Sequence, residues 1–186
     1  MVIYKSIDNN NLVKGIKDKK IAVIPTDTIY GIVACATNEA SVKKVYAIKK
    51  RTPDKPFIIL IADVADLGIF NVSLPIDLLT QLKDYWPGPC SIILSCDNPK
   101  FDYLSRGTKS LAFRLPDDKK LTDFIRKTGP LIAPSANPEC QKPAIDINDA
   151  IGYFNDQIDY YVDSGRIIGH PSHLIDFTSG SPIKIR

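Results

Sequence analysis

The sequence has few residues of the types that build metal centres, disulfide frameworks and membrane spans. Its 186 residues include two histidines, His170 and His173, and four cysteines, none of them in a C-x-x-C pair. A zinc site uses about three or four protein ligands, so the two histidines alone predict no metal site. No apolar run approaches the ~18 residues of a membrane helix, and the N-terminus lacks the pattern of a signal peptide. We therefore expect a cytoplasmic protein with reduced thiols and no membrane partner.

The common nucleotide-binding and hydrolase motifs are also missing. There is no G-x-x-x-x-G-K-[ST], no G-x-G-x-x-G and no nucleophile elbow. A nucleotide would therefore have to be held by scattered Lys, Arg, Ser and Asn side chains. The formal net charge is +3, from 24 basic and 21 acidic residues, which permits an anionic ligand without indicating nucleic-acid binding.

The residues that are present have an ordinary globular balance, with 44% apolar and 24% charged residues. Short apolar runs alternate with helical patterns, which predicts helices layered on a mixed, twisted sheet of the α/β (mixed α+β) class in one domain over 1–186. The predicted strands are 20–24, 57–62, 90–95, 110–115, 131–133, 158–163, 172–177 and 182–186. The predicted helices are 8–18, 39–50, 63–69, 75–85, 118–128 and 146–155. Asp8 and Asn38 are predicted helix caps.

Polar clusters follow two of the apolar runs. The run IAVI is followed by PTDT, within residues 24–31, and PLIA is followed by PSAN. Either cluster alone is typical of a turn, because Pro, Ser, Asn and Asp are turn residues. Ligands in open sheets bind beyond the carboxyl ends of strands, so the recurrence of the pattern favours a binding pocket.

Basic residues gather in the segment AIKKRTPDKP, residues 47–56. One interpretation is a solvated helix end, where positive charge is favoured by the helix dipole. However, Pro53 disfavours helical geometry at Thr52. We therefore expect the helix to fray near Lys50, leaving Lys49 and Arg51 free to converge on one anion.

Two predicted strands also carry arginines. In SLAFRL, Arg114 shares a face with Ser110 and Ala112, so this is either an exposed sheet face or a guanidinium aimed at a carboxylate or phosphate. In PIKIR, Lys184 and Arg186 share a face.

Taken in order, these clusters resemble the YrdC/TsaC family of threonylcarbamoyl-adenylate synthases. The matching segments are PTDTIYG, KKR, WPGP, LAFRLP, APSAN, DSG, SHLID and the terminal arginine. The resemblance implies a twisted open mixed sheet with helices on both faces and a basic groove.

The resemblance also implies a reaction. A nucleotidyltransferase would convert ATP, L-threonine and bicarbonate to L-threonylcarbamoyl-adenylate and pyrophosphate. Downstream transferase proteins would use this product to modify tRNA. Mg²⁺ would enter with ATP, with no organic cofactor and no metal site assigned to protein side chains; a weak direct contact with tRNA or other RNA is left open.

The resemblance assigns the site residues one by one. Lys49 and Arg51 match the family's K-x-R and are the predicted catalytic residues, holding phosphates and the carbamate. The predicted threonine contacts are Thr28, Arg114, Ala133 and Ser172. The predicted nucleotide contacts are Arg51, Lys55, Ser110, Ser135, Asn137 and Arg186. Tyr30 and Gly31 are expected to shape the pocket.

Three departures from the family pattern affect the threonine pocket. Leu60 stands where many relatives have a histidine, and we expect it to line part of the threonine niche. Pro143 lies near an expected serine, and GHPSHLID replaces a commoner G-x-E-S-T pattern while keeping Ser172.

Two other functions compete with the synthase. One is a non-catalytic module that binds RNA or a nucleotide in the same groove; the other is a paralogue that acts on a different carbamate or carbamoyl compound. The intact K-x-R and S-x-N motifs, together with Arg114 and Arg186, favour the synthase, because a binding module needs positive charge but not this constellation.

Overall fold

Ten strands form one mixed sheet in the computed structural model, which describes residues 1–52 and 54–186. The strands are β1 (Val2–Tyr4), β2 (Ala22–Ile24), β3 (Gly31–Cys35), β4 (Ile58–Leu60), β5 (Cys90–Ser95), β6 (Ser110–Arg114), β7 (Leu131–Ile132), β8 (Tyr160–Val162), β9 (His173–Asp176) and β10 (Ile183–Lys184). Their order in the sheet is β1-β8-β2-β3-β7-β4-β6-β5-β9-β10. The pairs β1–β8, β2–β8, β4–β6 and β5–β9 are parallel and the others antiparallel, which confirms the predicted mixed sheet.

The α-helices of the described chain connect these strands. They are α1 (Asn10–Lys17), α2 (Glu39–Lys49), α3 (Ile76–Leu82), α4 (Asp102–Ser105), α5 (Lys119–Thr128) and α6 (Ile147–Phe154). Short 3-10 helices span Val64–Phe70, Pro99–Phe101 and Asn155–Gln157. Within the described ranges, no helix is both long enough and apolar enough to cross a membrane.

Alternation along the strands produces two hydrophobic cores, one on each face of the sheet. In and next to β2, Ile21 and Val23 pack into the first core, whereas Ala22 and Ile24 pack into the second. The first core takes side chains from α2, α4 and α6, and the second takes them from α1 and α5. Because successive strand side chains point to opposite faces, helices cover both faces, as expected.

The helical layer of the second face stops before it reaches β5, β6 and β9. Among the described residues, the second core contains none from these three strands. On β6, Leu111 and Phe113 enter the first core, while Ser110, Ala112 and Arg114 line an open cavity on the other face. The uncovered part of the sheet therefore forms the floor of that cavity.

Strands β1 and β3 and the short helix α4 were not predicted. Strand β1 is three residues long at the sheet edge, with Val2 and Ile3 exposed. Strand β3 begins three residues after the end of the PTDT turn and is buried along most of its length, so it shows no alternation of apolar and polar residues. Its pairing with β2 and β7 is a long-range property that the local pattern does not carry.

The capping predictions had opposite outcomes. The side chain of Asn38 caps α2 by accepting from the Ser41 backbone N–H at 2.9 Å, as predicted. The Asp8 prediction was wrong, because α1 is capped by Asn9, whose Oδ1 accepts from the N–H groups of the second and third residues beyond it at 2.9 and 3.2 Å. Asp8 instead forms an exposed ion pair with Lys127.

The variant Asn9→Ala should lower the free energy of unfolding by about 1 kcal/mol, because two backbone donors at the start of α1 lose their acceptor. The variant Asp8→Ala should change it by less than about 0.5 kcal/mol, since an exposed ion pair contributes little. Urea unfolding of both variants checks this. An equal loss in the two would contradict the assignment of the cap.

Candidate functional site

A cavity of about 310 Å³ lies on the uncovered face of the sheet. Eight of the eleven predicted site residues line it: Thr28, Arg51, Ser110, Arg114, Ala133, Ser135, Ser172 and Arg186. Among the described residues, its wall includes three arginines and no aspartate or glutamate. Three guanidinium groups without a carboxylate in the wall make the cavity suited to anionic ligands.

Arg114 lies at the end of β6, and it is buried rather than on an exposed sheet face. Its Nη1 donates to Thr28 Oγ1 at 3.0 Å, and its Nη2 lies 3.0 Å from Asp27 Oδ1. Burial raises the pKa of the Asp27 carboxyl, while Arg114 opposes that shift. Burial also lowers the pKa of Arg114, opposed by Asp27. The role of Asp27 was not predicted, although the residue lies within the PTDT cluster.

The PTDT cluster is both a turn and a cavity wall. Thr26 Oγ1 donates to the carbonyl of Ile29 at 2.6 Å and accepts from the Thr28 N–H at 3.2 Å. This local bonding bends the chain, and Thr26, Thr28 and Ile29 all line the cavity. The turn and pocket interpretations of this cluster are therefore compatible.

Tyr30 and Gly31 have different relations to the cavity. Gly31 lines it, whereas the ring of Tyr30 is fully buried in the first core. The Tyr30 hydroxyl donates to the carbonyl of Gly165 at 2.7 Å and accepts from the Ser164 N–H at 3.0 Å. Tyr30 therefore joins the DSG segment to the turn that bears Thr28 and supports the wall from behind.

Lys49 is buried rather than free, although its helix ends near Lys50 as predicted. Helix α2 continues through Lys49, and Lys50 ends it in a left-handed conformation. The Lys49 ammonium donates to the carbonyls of Ser135 and Asn137, at 2.5 Å each, and does not line the cavity. Burial lowers the pKa of Lys49 to about 7, with Arg51 acting in the same direction. In this structure Lys49 positions the loop after β7.

Arg51 does line the cavity. Its Nε donates to the carbonyl of Lys55 at 3.1 Å, its Nη2 donates to that of Pro56 at 3.4 Å, and its guanidinium lies 5.3 Å from the ring centre of Phe57. The proposed effect of Pro53 on the backbone lies outside the described residues. Lys49 and Arg51 thus point to different surroundings rather than to one anion.

Lys55 does not line the cavity either. Its ammonium lies 2.7 Å from Glu139 Oε1, and the other carboxylate oxygen of Glu139 accepts from the N–H and hydroxyl of Thr52 at 2.6 and 2.8 Å. The bond from Lys55, followed by those from Thr52, lowers the pKa of Glu139 to about 2. Glu139, which no motif indicated, therefore joins the K-x-R loop to the S-x-N loop.

The two predicted residues of the S-x-N motif differ in the same way. Ser135 lines the cavity, whereas Asn137 lies behind it. The Asn137 amide donates to the carbonyls of Pro138 and Gln141 at 2.9 and 2.7 Å. Its buried Oδ1 has no hydrogen-bond partner among the described residues. Asn137 shapes the loop in this structure, and its nucleotide contact stays a prediction.

Part of the cavity wall is formed by Ser172, Leu174 and Arg186, which lie in or next to β9 and β10. The Ser172 hydroxyl shares a hydrogen bond with the Ser91 hydroxyl at 2.8 Å, and the Ser172 carbonyl accepts from Nε and Nη2 of Arg186 at 3.2 and 3.1 Å. The backbone N–H of Arg186 donates to the carbonyl of Leu174. These bonds place the Arg186 guanidinium against the cavity wall.

The expectation for Leu60 was wrong. Leu60 is fully buried in the second core and does not line the cavity, and Pro143 does not line it either. Apolar lining comes instead from Leu174 of the SHLID segment and from residues that no motif indicated, including Phe57 and Ile93. For Ile93, the one signal in the sequence is that it shares a face of β5 with Ser91 and Ser95. This signal is weak.

No group of three or more His, Cys, Asp or Glu side chains in the described chain is arranged to hold a metal ion. The carboxylate nearest to the cavity arginines, that of Asp27, is paired with Arg114. The cavity therefore offers guanidinium and hydroxyl groups to a ligand.

The chain is similar to known proteins in sequence and in fold. The Sua5/YciO/YrdC family model, described as telomere recombination, matches residues 14–186. The threonylcarbamoyl-AMP synthase of Bacillus subtilis (strain 168) is 32% identical over 177 residues, covering 92% of this chain and 50% of that protein. The crystal structure of Pyrococcus abyssi Sua5 complexed with L-threonine has a TM-score of 0.91 at 27% identity, covering 100% of this chain and 57% of that one. The crystal structure of Escherichia coli YciO has a TM-score of 0.86 at 19% identity, covering 100% of this chain and 94% of that one, and supports the fold.

The chain belongs to the Sua5/YciO/YrdC family. It spans about half the length of the synthases of Bacillus subtilis and Pyrococcus abyssi.

The variant Lys49→Met should lower the free energy of unfolding by about 1–3 kcal/mol, because two buried carbonyls lose their donor while the side-chain volume is kept. The loss should also depend on pH. The pKa of Lys49 is about 7 in the folded protein, and its ordinary value is 10.5. Between these two pH values the lysine is mostly protonated in the unfolded chain and mostly neutral in the folded one. The unfolded chain therefore binds more protons than the folded chain, and the stability contributed by Lys49 rises with pH.

Urea unfolding of the wild type and of Lys49→Met near neutral pH and in mild alkali checks this prediction. The difference in free energy of unfolding between the two proteins should be larger in alkali than at neutral pH. The other titrating groups are the same in both proteins, so their effects cancel in this difference. A difference that does not change with pH would contradict the depressed pKa.

Proposed function

We propose that this protein makes L-threonylcarbamoyl-adenylate from L-threonine, bicarbonate and ATP, releasing pyrophosphate, and that the product serves tRNA modification by downstream transferase proteins in the cytoplasm. The observation that carries the proposal is the convergence of Thr28, Arg51, Ser110, Arg114 and Arg186 on one cavity. These residues come from separate parts of the chain and match the family's motifs. The name of the Bacillus subtilis relative supports the same reaction.

One end of the cavity suits an amino acid. Arg114 presents a guanidinium held by Thr28 and Asp27, and Ala133 and Ser172 line the same cavity. A planar guanidinium binds a carboxylate in two places, which fixes its orientation. The Ser172 hydroxyl already bonds to Ser91, so a contact with threonine would require that hydroxyl to share its bond.

Other parts of the cavity suit a polyphosphate. Arg51 and Arg186 line it, and their side-chain N–H groups bond only to backbone carbonyls in the described chain. They therefore keep their positive charge for a ligand. Ser110 and Ser135 add polar groups to the same wall. Mg²⁺ would enter as part of the ATP substrate and offset charge on the leaving pyrophosphate.

Catalysis on such a site would rest on positioning. The threonine amine forms a C–N bond to the carbon of bicarbonate and water leaves, which gives a carbamate. A carbamate oxygen then attacks the α-phosphate of ATP and displaces pyrophosphate. Holding the carbamate and the triphosphate together removes the entropic cost of the encounter, and the arginines stabilise negative charge in the transition state. No covalent nucleophile of the protein is required. Lys49, Lys55 and Asn137 would support the loops that carry Arg51 and Ser135.

Pyrophosphate release from ATP should require both threonine and bicarbonate. The assay is run with the complete mixture and with each component omitted in turn, and we expect release only in the complete mixture. Release without threonine would indicate an ATPase or a paralogue with another substrate. Salt-dependent binding of structured RNA without any turnover would favour the non-catalytic module.

The variant Arg51→Ala should lower kcat/KM for ATP by roughly one to two decades, because a charged hydrogen bond contributes about 1.5–3 kcal/mol. Arg51→Lys, which keeps the charge without the planar fork, should recover part of the loss. Arg126→Ala, which removes a surface arginine far from the cavity wall, is the matched control. Normal turnover by Arg51→Ala at an unchanged melting temperature would refute the role of Arg51.

A further inference from the structure

The three arginines of the cavity differ in how their charge is compensated. Arg114 Nη2 lies 3.0 Å from Asp27 Oδ1. Among residues 1–52 and 54–186, no other ion pair involves an arginine of the cavity. Arg51 and Arg186 donate to carbonyl oxygens, which carry no net charge. The cavity therefore has one neutralised arginine and two that remain positive.

The Asp27–Arg114 pair is shielded from solvent, with 9% and 5% of the two side chains exposed. Asp27 itself does not line the cavity, whereas its neighbours Thr26 and Thr28 do. A carboxylate that is paired with a wall arginine without lining the wall itself still acts through its charge on whatever binds beside that arginine.

Hydrogen bonding within this pair is incomplete. Arg114 Nε and Asp27 Oδ1 are buried and have no hydrogen-bond partner among the described residues. A buried ion pair with free hydrogen-bonding groups is weak support for stability, because desolvation offsets the attraction between the charges. The pair therefore acts on the cavity through its charges, since Arg114 lines the wall.

The proposed reaction places two ligands of different charge in one cavity. ATP is a polyanion, whereas threonine is a zwitterion with no net charge. Three equally positive arginines would attract phosphates to every part of the cavity. An arginine already paired with a carboxylate has little attraction for a polyanion, but the pair is complementary to a ligand that carries both an ammonium and a carboxylate.

We propose that Asp27 is a specificity-determining residue: by neutralising Arg114, it makes that end of the cavity select a zwitterionic amino acid and directs polyphosphate to Arg51 and Arg186. This inference rests on the proposed function and adds to it a reason why the two substrates do not exchange places. Asp27 acts through Arg114 and need not touch the substrate.

Calorimetric binding to the full chain tests this proposal. The probes are L-threonine, its α-hydroxy analogue, in which a hydroxyl replaces the ammonium group, and inorganic tripolyphosphate. The proteins are the wild type and Asp27→Asn, which keeps the shape of the side chain and removes its charge. Asp123→Asn removes the same charge at an exposed position outside the cavity and is the matched control.

For the wild type, we expect threonine to bind about tenfold more tightly than the hydroxy analogue, and tripolyphosphate to leave the Kd for threonine nearly unchanged. In Asp27→Asn the preference for threonine should fall severalfold, and tripolyphosphate should compete with threonine. Asp123→Asn should behave as the wild type. The same threonine preference and the same lack of competition in Asp27→Asn would overturn the proposal.

If Asp27→Asn fails to fold, the competition measurement on the wild type still tests the proposal. Displacement of threonine by tripolyphosphate from the wild type contradicts the proposal, and independent binding of the two supports it. A wild type that binds threonine selectively but releases no pyrophosphate would refute the proposed function and leave the role of Asp27 standing. A wild type that binds no threonine would refute both.

Discussion

The buried guanidinium of Arg114 is the interaction on which the geometry of the site depends. A buried charge needs charged or hydrogen-bonding partners, and the end of β6 provides none of its own. The partners, Asp27 and Thr28, come from the turn after β2, which must therefore bend over the end of β6. Gly169 allows this approach, because a Cβ at that position would lie 1.9 Å from the carbonyl oxygen of Thr28.

A second buried cation, Lys49, organises the opposite wall in a similar way. It joins the end of α2 to the carbonyls of Ser135 and Asn137, and Glu139 joins the same two segments at the surface. Buried polar networks of this kind specify one arrangement of loops, because any alternative leaves polar groups unpaired. Two of the basic residues in the K-x-R region therefore serve the architecture that presents Arg51.

The sequence was sufficient to predict most elements that have their own local pattern. The strand at 90–95 and the helix that begins after Asn38 were correct, because alternation, apolar periodicity and a capping side chain are local signals. Strand β3 and the cap of α1 were missed or misplaced. Strand β3 is buried on both faces and follows a turn, and two adjacent residues, Asp8 and Asn9, are both good caps, so only the geometry decides between them.

The same division holds for the site. Residue types and their order determined that basic, hydroxyl and amide groups follow the strands, that the chain resembles the synthases, and which parts of the chain would line a cavity. Which of those groups line the cavity was decided by the tertiary structure alone. Lys49 and Arg51 are two residues apart, yet one is buried against carbonyls and the other lines the cavity. The physical reason is that burial, ion pairing and desolvation depend on segments distant in the chain, as the pairing of Arg114 with Asp27 shows.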